Sequence, residues 1–280
     1  MTRITGLDHL TMLDVAPPEF VAVAAGAGCD TVGLRVAPVT PGEEAWPVSP
    51  GSPMLAETMR RCGGTGLTVL DVEAIALGPA SDLAGCEPVL ETAAVLGARY
   101  LNVICDDPDT GRFADLLAEL VRLARPYRVR PVIEFTAWRP IRTLASAVAI
   151  VRGSDGGGLL LDTLHIQRCG VSAAELAGVD PALLGYLQLC DAPARPPHGI
   201  GVPAQMPRGQ PVSAGDDAVL EARTMRLPPG EGELPLAELL GVLPDDLPVS
   251  VEAPSLAARR ELTPAGYAAR IRRALTSVLG

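Results

Sequence analysis

Three carboxylates close apolar runs in this chain: Glu134 follows "PVI", Asp162 follows "LLL" and Glu252 follows "VSV". A strand that merely ended in solvent could stop at any polar residue. Burying several carboxylates close together without a cation is costly, so repeated acids at such ends ask for a positive partner. Gln188, inside "YLQLCD", stands in the same kind of position. Three carboxylates and an amide oxygen form an all-oxygen donor set, which suits Mg2+ or Mn2+ better than zinc. Any one of these residues alone would read as a turn residue or helix cap. Together, Glu134, Asp162, Gln188 and Glu252 point to one divalent metal ion.

Further polar residues end other apolar runs. Arg35 closes "GLR" and Glu73 closes "LDVE", and both can line the same space as substrate-binding groups. Arg226, just before "LPPGEGE", is the anion anchor of choice, and Arg139 can complete the polar wall. Arg35 and Arg226 in a chain of net charge −10 suggest a small anionic or highly hydroxylated substrate. A divalent ion that chelates a carbonyl and a neighbouring hydroxyl acidifies the adjacent C–H. Proton return to the opposite face is epimerisation, return to the next carbon is isomerisation, and loss of a β-hydroxyl is dehydration. Gln188 can ligate but supplies no proton near neutral pH, so acid and base duty falls on carboxylates or on His165.

These residues can meet only if a fold gathers the strand ends. Eight β-rich runs start at His9, Asp30, Leu67, Arg99, Arg130, Gly158, Gly185 and Pro248. Helix-periodic stretches such as "PEFVAVAAGAG", "FADLLAELVRLA" and "IRTLASAVAIVRG" alternate with them. Eight βα units in one domain, residues 1–280, predict an α/β fold of the closed (β/α)8 TIM-barrel type, whose C-terminal strand ends converge on one mouth. A doubly wound open sheet is the alternative, but "LDVAPPEF" puts prolines where its glycine fingerprint would fall. One interval is long: residues 191–247, rich in Pro and Gly, separate the seventh and eighth runs. Residues 191–234 are expected to form an active-site loop, because a loop leaving a barrel strand's C-terminal end opens on the catalytic face. Within it His198 is expected to be exposed, and Asp191 reads as a plain loop residue.

Composition excludes several classes. All 23 basic residues are arginine, so Schiff-base, pyridoxal phosphate and lysine P-loop chemistries are ruled out. The six cysteines show no CxxC pair and read as reduced thiols. A net charge of −10 makes nucleic acid and acidic membranes poor partners. No apolar run reaches the ~20 residues that span a bilayer, and "MTRITGLDHL" lacks a signal peptide's apolar core. The expectation is a soluble cytoplasmic protein, with a homo-oligomer left open.

The segments "VIEF", "LLLDTLHIQRCG", "YLQLCDAP", "RLPPGEGELPL" and "VSVEAP", in that order, resemble the xylose isomerase-like TIM-barrel superfamily. The likeness spans the chain and is sharpest at D-x-x-H (Asp162, His165), with Arg168 and Gly170 following, and at P-G-x-G (Pro229 to Gly232). The superfamily includes sugar phosphate isomerases/epimerases, inosose dehydratase and 3-dehydroshikimate dehydratase. The resemblance implies one Mn2+ or Mg2+ on Glu134, Asp162, Gln188 and Glu252, with Gln188 where many isomerases and epimerases have histidine. It implies Glu134 and Glu252 as the catalytic pair of an epimerase, or His165 as the acid/base of a dehydratase. His165 is also expected against substrate, and Arg226 as a substrate contact. The expected activity is therefore a metal-dependent sugar (phosphate) isomerase/epimerase acting through an enediolate on a keto-sugar or polyol-derived substrate. A metal-dependent lyase of the dehydratase type and a non-catalytic barrel subunit are the alternatives.

Overall fold

The computed structural model describes residues 3–280; the first two residues of the expected 1–280 domain lie outside them. Eight parallel strands close into a barrel in chain order. They are β1 (Thr5–Leu7), β2 (Thr31–Arg35), β3 (Thr68–Leu77), β4 (Tyr100–Cys105), β5 (Arg130–Glu134), β6 (Gly158–Asp162), β7 (Leu184–Leu189) and β8 (Val249–Val251). Closure is made by β1 pairing with β8, Gly6 opposite Ser250. The expected (β/α)8 barrel is therefore the fold.

Helices follow the strands: α1 (Pro17–Gly26), α2 (Pro53–Thr65), α3 (Glu87–Leu96), α4 (Thr110–Ala124), α5 (Leu144–Gly153) and α6 (Thr163–Arg168). Beyond these come α7 (Ala173–Ala177), α8 (Asp217–Thr224), α9 (Leu236–Leu240), α10 (Leu256–Glu261) and α11 (Pro264–Leu279). Their starts are set by local chemistry. Ser52, Asp109 and Thr143 each accept a backbone N–H from the first turn that follows, satisfying donors a helix cannot satisfy itself. Leu117, Leu120, Val121 and Ala124 put one face of α4 in the core, as its periodicity predicts.

The first strand is a correction. The run from His9 was expected to be strand one, but His9–Met12 forms a 3-10 turn and the strand is Thr5–Leu7. "HLTMLD" is apolar because it packs at the mouth, not because it pairs. Asp8 N–H still donates to the Val251 carbonyl, and Thr11 Oγ1 donates to that same oxygen.

Residues between β7 and β8 are not structureless, because α8 and α9 lie within them. Asp191 is more than a loop residue. It is buried and accepts from the backbone N–H groups of Ala192, Gly230 and Leu234, drawing the P-G-x-G turn onto the end of β7. Gly232 is tightly required there, since a Cβ would lie 2.4 Å from Asp191 Oδ1. His198 is exposed, as expected.

Candidate active site

The acids at the ends of β5, β6 and β8 converge. Glu134, Asp162 and Glu252 are all buried, and one guanidinium spans two of them. Arg226 Nη1 lies 2.5 Å from Asp162 Oδ2, and Nη2 lies 3.0 Å from Glu252 Oε2. Nη2 is also 3.5 Å from His165 Nε2, which stands 3.3 Å from Glu134 Oε1. Gln188 joins through its amide, with Nε2 donating to Glu252 Oε1 at 3.0 Å while Oε1 has no partner. All four residues expected as ligands thus lie in one connected cluster with His165.

Asp162 is both strand end and helix cap. Its Oδ1 accepts from the N–H groups of Leu164 and His165 at the start of α6, which leaves Oδ2 facing the mouth. The D-x-x-H spacing follows, because the cap places His165 one turn along, beside the carboxylate that orients its backbone. Trp138 meets the His165 ring edge-on at 4.8 Å.

Burial and charge set the protonation states. Burial pushes Glu134 up to about 8, and the Asp162 charge adds to it. Burial also holds Glu252 well above the ordinary carboxylate range, against the pull of Arg226. Burial would raise Asp162 too, but the Arg226 guanidinium and the cap hydrogen bonds override it and keep that carboxylate low. Burial pushes His165 down to about 4, so its imidazole is neutral at neutral pH. Nε2 is then free to accept from Arg226, and Nδ1 is without a partner.

The expected substrate groups are placed at the same mouth, but two are already committed. Arg35 donates from Nε to Glu73 Oε2 at 3.0 Å and from Nη1 to Glu43 Oε1 at 3.2 Å. Arg226, expected as an anion anchor, instead acts as the internal cation of the carboxylate cluster. Both line a cavity of about 60 Å3 together with Glu73, Asn102, Glu134 and Glu252. Asn102, on β4, was not among the expected residues; its signal is a polar side chain inside the apolar run "YLNVIC". Arg139, from the β5–α5 connection, lines the cavity and pairs with Asp106. Gln210, Arg223 and Arg226 reach it from the 191–247 segment, which therefore forms part of the cavity wall.

A second acidic group lies beside this one. Asp8, Asp71 and Glu73 are buried within metal-binding distance of one another. The pairing of β2 with β3 jumps from Val32–Val69 to Gly33–Asp71, and this bulge at Leu70 turns Asp71 and Glu73 to the face Leu70 occupies. Gly33 leaves the room: a Cβ there would lie 2.2 Å from Asp8 Oδ1 and 2.6 Å from Asp71 Oδ1. Asp8 Oδ1 accepts from Ser250 Oγ at 2.6 Å, but both oxygens of Asp71 lack a partner.

The donor set at the mouth fits a divalent ion. Glu134, Asp162 and His165 each offer a ligand atom within 4.8 Å of one another, and the Glu252 carboxylate and the unpartnered amide oxygen of Gln188 join the same cluster. The cluster already gathers around a cation in the form of Arg226, and the ion would share Asp162 and Glu252 with it.

A family model described as xylose isomerase-like TIM barrel matches residues 21–274. No curated protein matches the chain. Solved structures share the barrel at low identity. A xylose isomerase-like TIM barrel/4-hydroxyphenylpyruvate dioxygenase fusion protein is 18% identical with a TM-score of 0.77; the match covers 99% of this chain and 43% of that longer one. The IolI protein with a bound zinc atom is 19% identical over 98% of this chain and 97% of its own, with a TM-score of 0.71. The probable 3-DHS dehydratase AsbF of Bacillus anthracis is 13% identical over 99% of both chains, with a TM-score of 0.72. With the closed barrel and the extent of the family match, the chain belongs to the xylose isomerase-like TIM-barrel family.

Proposed function

We propose that this protein is a divalent-metal-dependent isomerase or epimerase that moves a proton next to the carbonyl of a hydroxylated, keto-sugar-like substrate. The observation that carries this is the gathering of Glu134, Asp162, Glu252 and the free amide oxygen of Gln188 at one buried mouth. When bound, the ion supplies Lewis-acid polarisation of adjacent substrate oxygens. Mg2+ or Mn2+ matches the oxygen donors, although a structural neighbour carries zinc.

The chain's own residues divide the remaining work. Asp162, fixed by two amides of α6 and by Arg226, stays ionised and orients the cluster. Glu134 and Glu252 are the residues able to hold a proton near neutral pH, and they stand on different strands of the rim. They would take the proton from the reacting carbon and return it. Arg35 holds Glu73 in the cavity wall, where both can meet substrate hydroxyls. The 191–234 segment would close over bound substrate, since its Gln210, Arg223 and Arg226 already line the cavity.

A dehydratase is the second reading, favoured by His165. A neutral, buried imidazole whose Nε2 stands beside Glu134 and whose Nδ1 is unpartnered can shuttle a proton to a departing hydroxyl.

Elemental analysis with metal titration tests the centre. Glu252→Gln should lose bound Mn2+ while the far-UV circular dichroism spectrum is unchanged. Full occupancy in a Glu134→Gln/Glu252→Gln variant would refute the site. Because Glu134 titrates near 8, a proton must leave when the ion binds. Mn2+ affinity should therefore fall at least about tenfold per pH unit below 8, and calorimetry in two buffers of different ionisation heat should register at least one proton released. Absorbing enone product, with no epimer from any ketose tested, would favour the lyase.

A further inference from the structure

We propose that the cavity outside β8 and the turn after β1 is an oxyanion subsite that receives the phosphate of a phosphorylated sugar. The assignment rests on the sugar-directed reading above and adds the substrate's charged end to it. The cavity has a volume of about 270 Å3, against about 30 Å3 for one water in the liquid. Three arginines wall it: Arg208 and Arg223 from the β7–β8 connection, and Arg259 from α10. The one acid in the wall is Asp14, in a chain whose net charge is −10. Ser255 adds a hydroxyl.

The arginines have spare donors. Arg223 gives Nη1 to the Pro211 carbonyl at 2.9 Å and, among the described residues, meets no carboxylate within ion-pair distance. Burial, with the nearby Arg35 charge, pulls it down to about 10, the mark of a cation short of an anion. Arg259 gives Nη2 to Asp14 at 3.2 Å, but its Nε and Nη1 are buried without an acceptor. Arg208 is fixed in place by the Glu44 and Ala45 carbonyls and lies 3.9 Å from the Trp46 ring centre, with exposed Glu44 its only acid partner among the described residues.

The number of forks favours phosphate over carboxylate. A carboxylate is filled by one guanidinium, whereas a phosphate dianion presents three terminal oxygens and can take donors from several directions. Position links the cavity to the reaction, because Arg223 lines both this cavity and the mouth cavity of Glu134 and Glu252. A sugar phosphate could then seat its phosphate outside and its hydroxy-carbonyl end at the mouth. The loops after the last two strands are also where many barrels of this class hold phosphate.

Inorganic phosphate titrated calorimetrically into EDTA-treated protein tests the subsite apart from the metal centre. Saturable binding to one site is expected, with acetate at equal ionic strength binding at least tenfold more weakly. Arg223→Gln, which breaks no ion pair, should weaken phosphate about tenfold, the counterpart of one charge-assisted hydrogen bond. Arg259→Gln should do the same. Glu252→Gln should leave phosphate affinity unchanged while losing Mn2+, so failure of the metal centre and failure of the subsite are read separately. No phosphate binding to the wild type, acetate binding as tight as phosphate, or unchanged affinity in both arginine variants with native melting curves would overturn the proposal.

Discussion

The two buried acidic groups of this barrel contain three carboxylates each, but only the group at the mouth keeps an aspartate ionised, with a guanidinium that also spans a second acid. At the mouth, Arg226 reaches Asp162 and Glu252, and His165 stands against Glu134. In the neighbouring group only Glu73 has a cation, Arg35, while Asp8 and Asp71 have none among the described residues. Burial raises both of these aspartates well above the ordinary range, each reinforced by the other acids around it. Protons therefore do for Asp8 and Asp71 what a guanidinium does for Asp162. Burial of acids alone does not mark an active site; a group whose compensating charge can be exchanged for metal and substrate does.

The largest expected effect of that difference comes from removing the mouth's cation. Arg226→Met strands Asp162 and Glu252 in a dry environment, and breaking a buried pair from one side typically costs about 3–5 kcal/mol. Urea denaturation should show a loss of that size. Because Asp162 is the low-pKa member, adding Asp162→Asn should recover a large part of it. A variant as stable as the wild type would mean that Arg226 is not the charge balancing the mouth. No such change is available in the other group, where there is no cation to remove from Asp8 or Asp71.

A smaller effect is expected where room, not charge, is the constraint. Gly33→Ala would place a methyl group 2.2 Å from Asp8 Oδ1 and 2.6 Å from Asp71 Oδ1, both on packed side chains. Overpacking of this kind costs about 1–3 kcal/mol. The thermal midpoint should fall, and Asp8→Ala should restore part of it by vacating the closest atom. An unchanged midpoint would show that the two aspartates shift freely and are not wedged against β2.

The contrast also explains what could be read from sequence. Glu134, Asp162 and Glu252 each end an apolar run at a strand's last residues, so the alternation of strands and helices was enough to bring them together. Glu73 was expected to close its strand, but β3 runs on to Leu77; Asp71 and Glu73 share a face inside it, and the bulge at Leu70 that turns them to the interior is a register shift with no sequence marker. Asp8 was hidden by placing the first strand at His9. A three-residue strand, Thr5–Leu7, gives almost no periodicity, while the turn after it is just as apolar. Arg226 was found, but its duty was not. Its partners lie 64 and 26 residues away, and which acids a loop arginine meets depends on how the loop folds back. Arg223 and Arg259 were missed because exposed-looking arginines on polar helices carry no signal until a cavity is seen between them.

The smallest effect should separate the two groups by sign. Asp71→Asn removes an ionisable group whose folded pKa is raised above its ordinary value of 3.8. Below that value the acid is protonated both folded and unfolded and costs nothing. As pH rises toward the folded pKa, the unfolded chain gives up its proton while the folded one keeps it, so wild-type stability is progressively lost. Asparagine is neutral throughout and escapes that loss, although its own amide must find partners and forfeits about 1–3 kcal/mol where it does not. Where the amide finds partners, the variant should melt higher than the wild type at pH 7. The advantage should shrink as pH falls and be gone near pH 4, where any cost of an unpartnered amide is all that remains. Asp162→Asn, at the mouth, should behave in reverse. Its folded pKa is lowered, so the native aspartate contributes stability above 3.8 and the variant should be less stable at pH 7, the deficit narrowing only as pH drops. Melting curves of the two variants from pH 4 to 8 that ran parallel, instead of diverging in opposite directions, would remove the distinction between a group balanced by protons and one balanced by arginine.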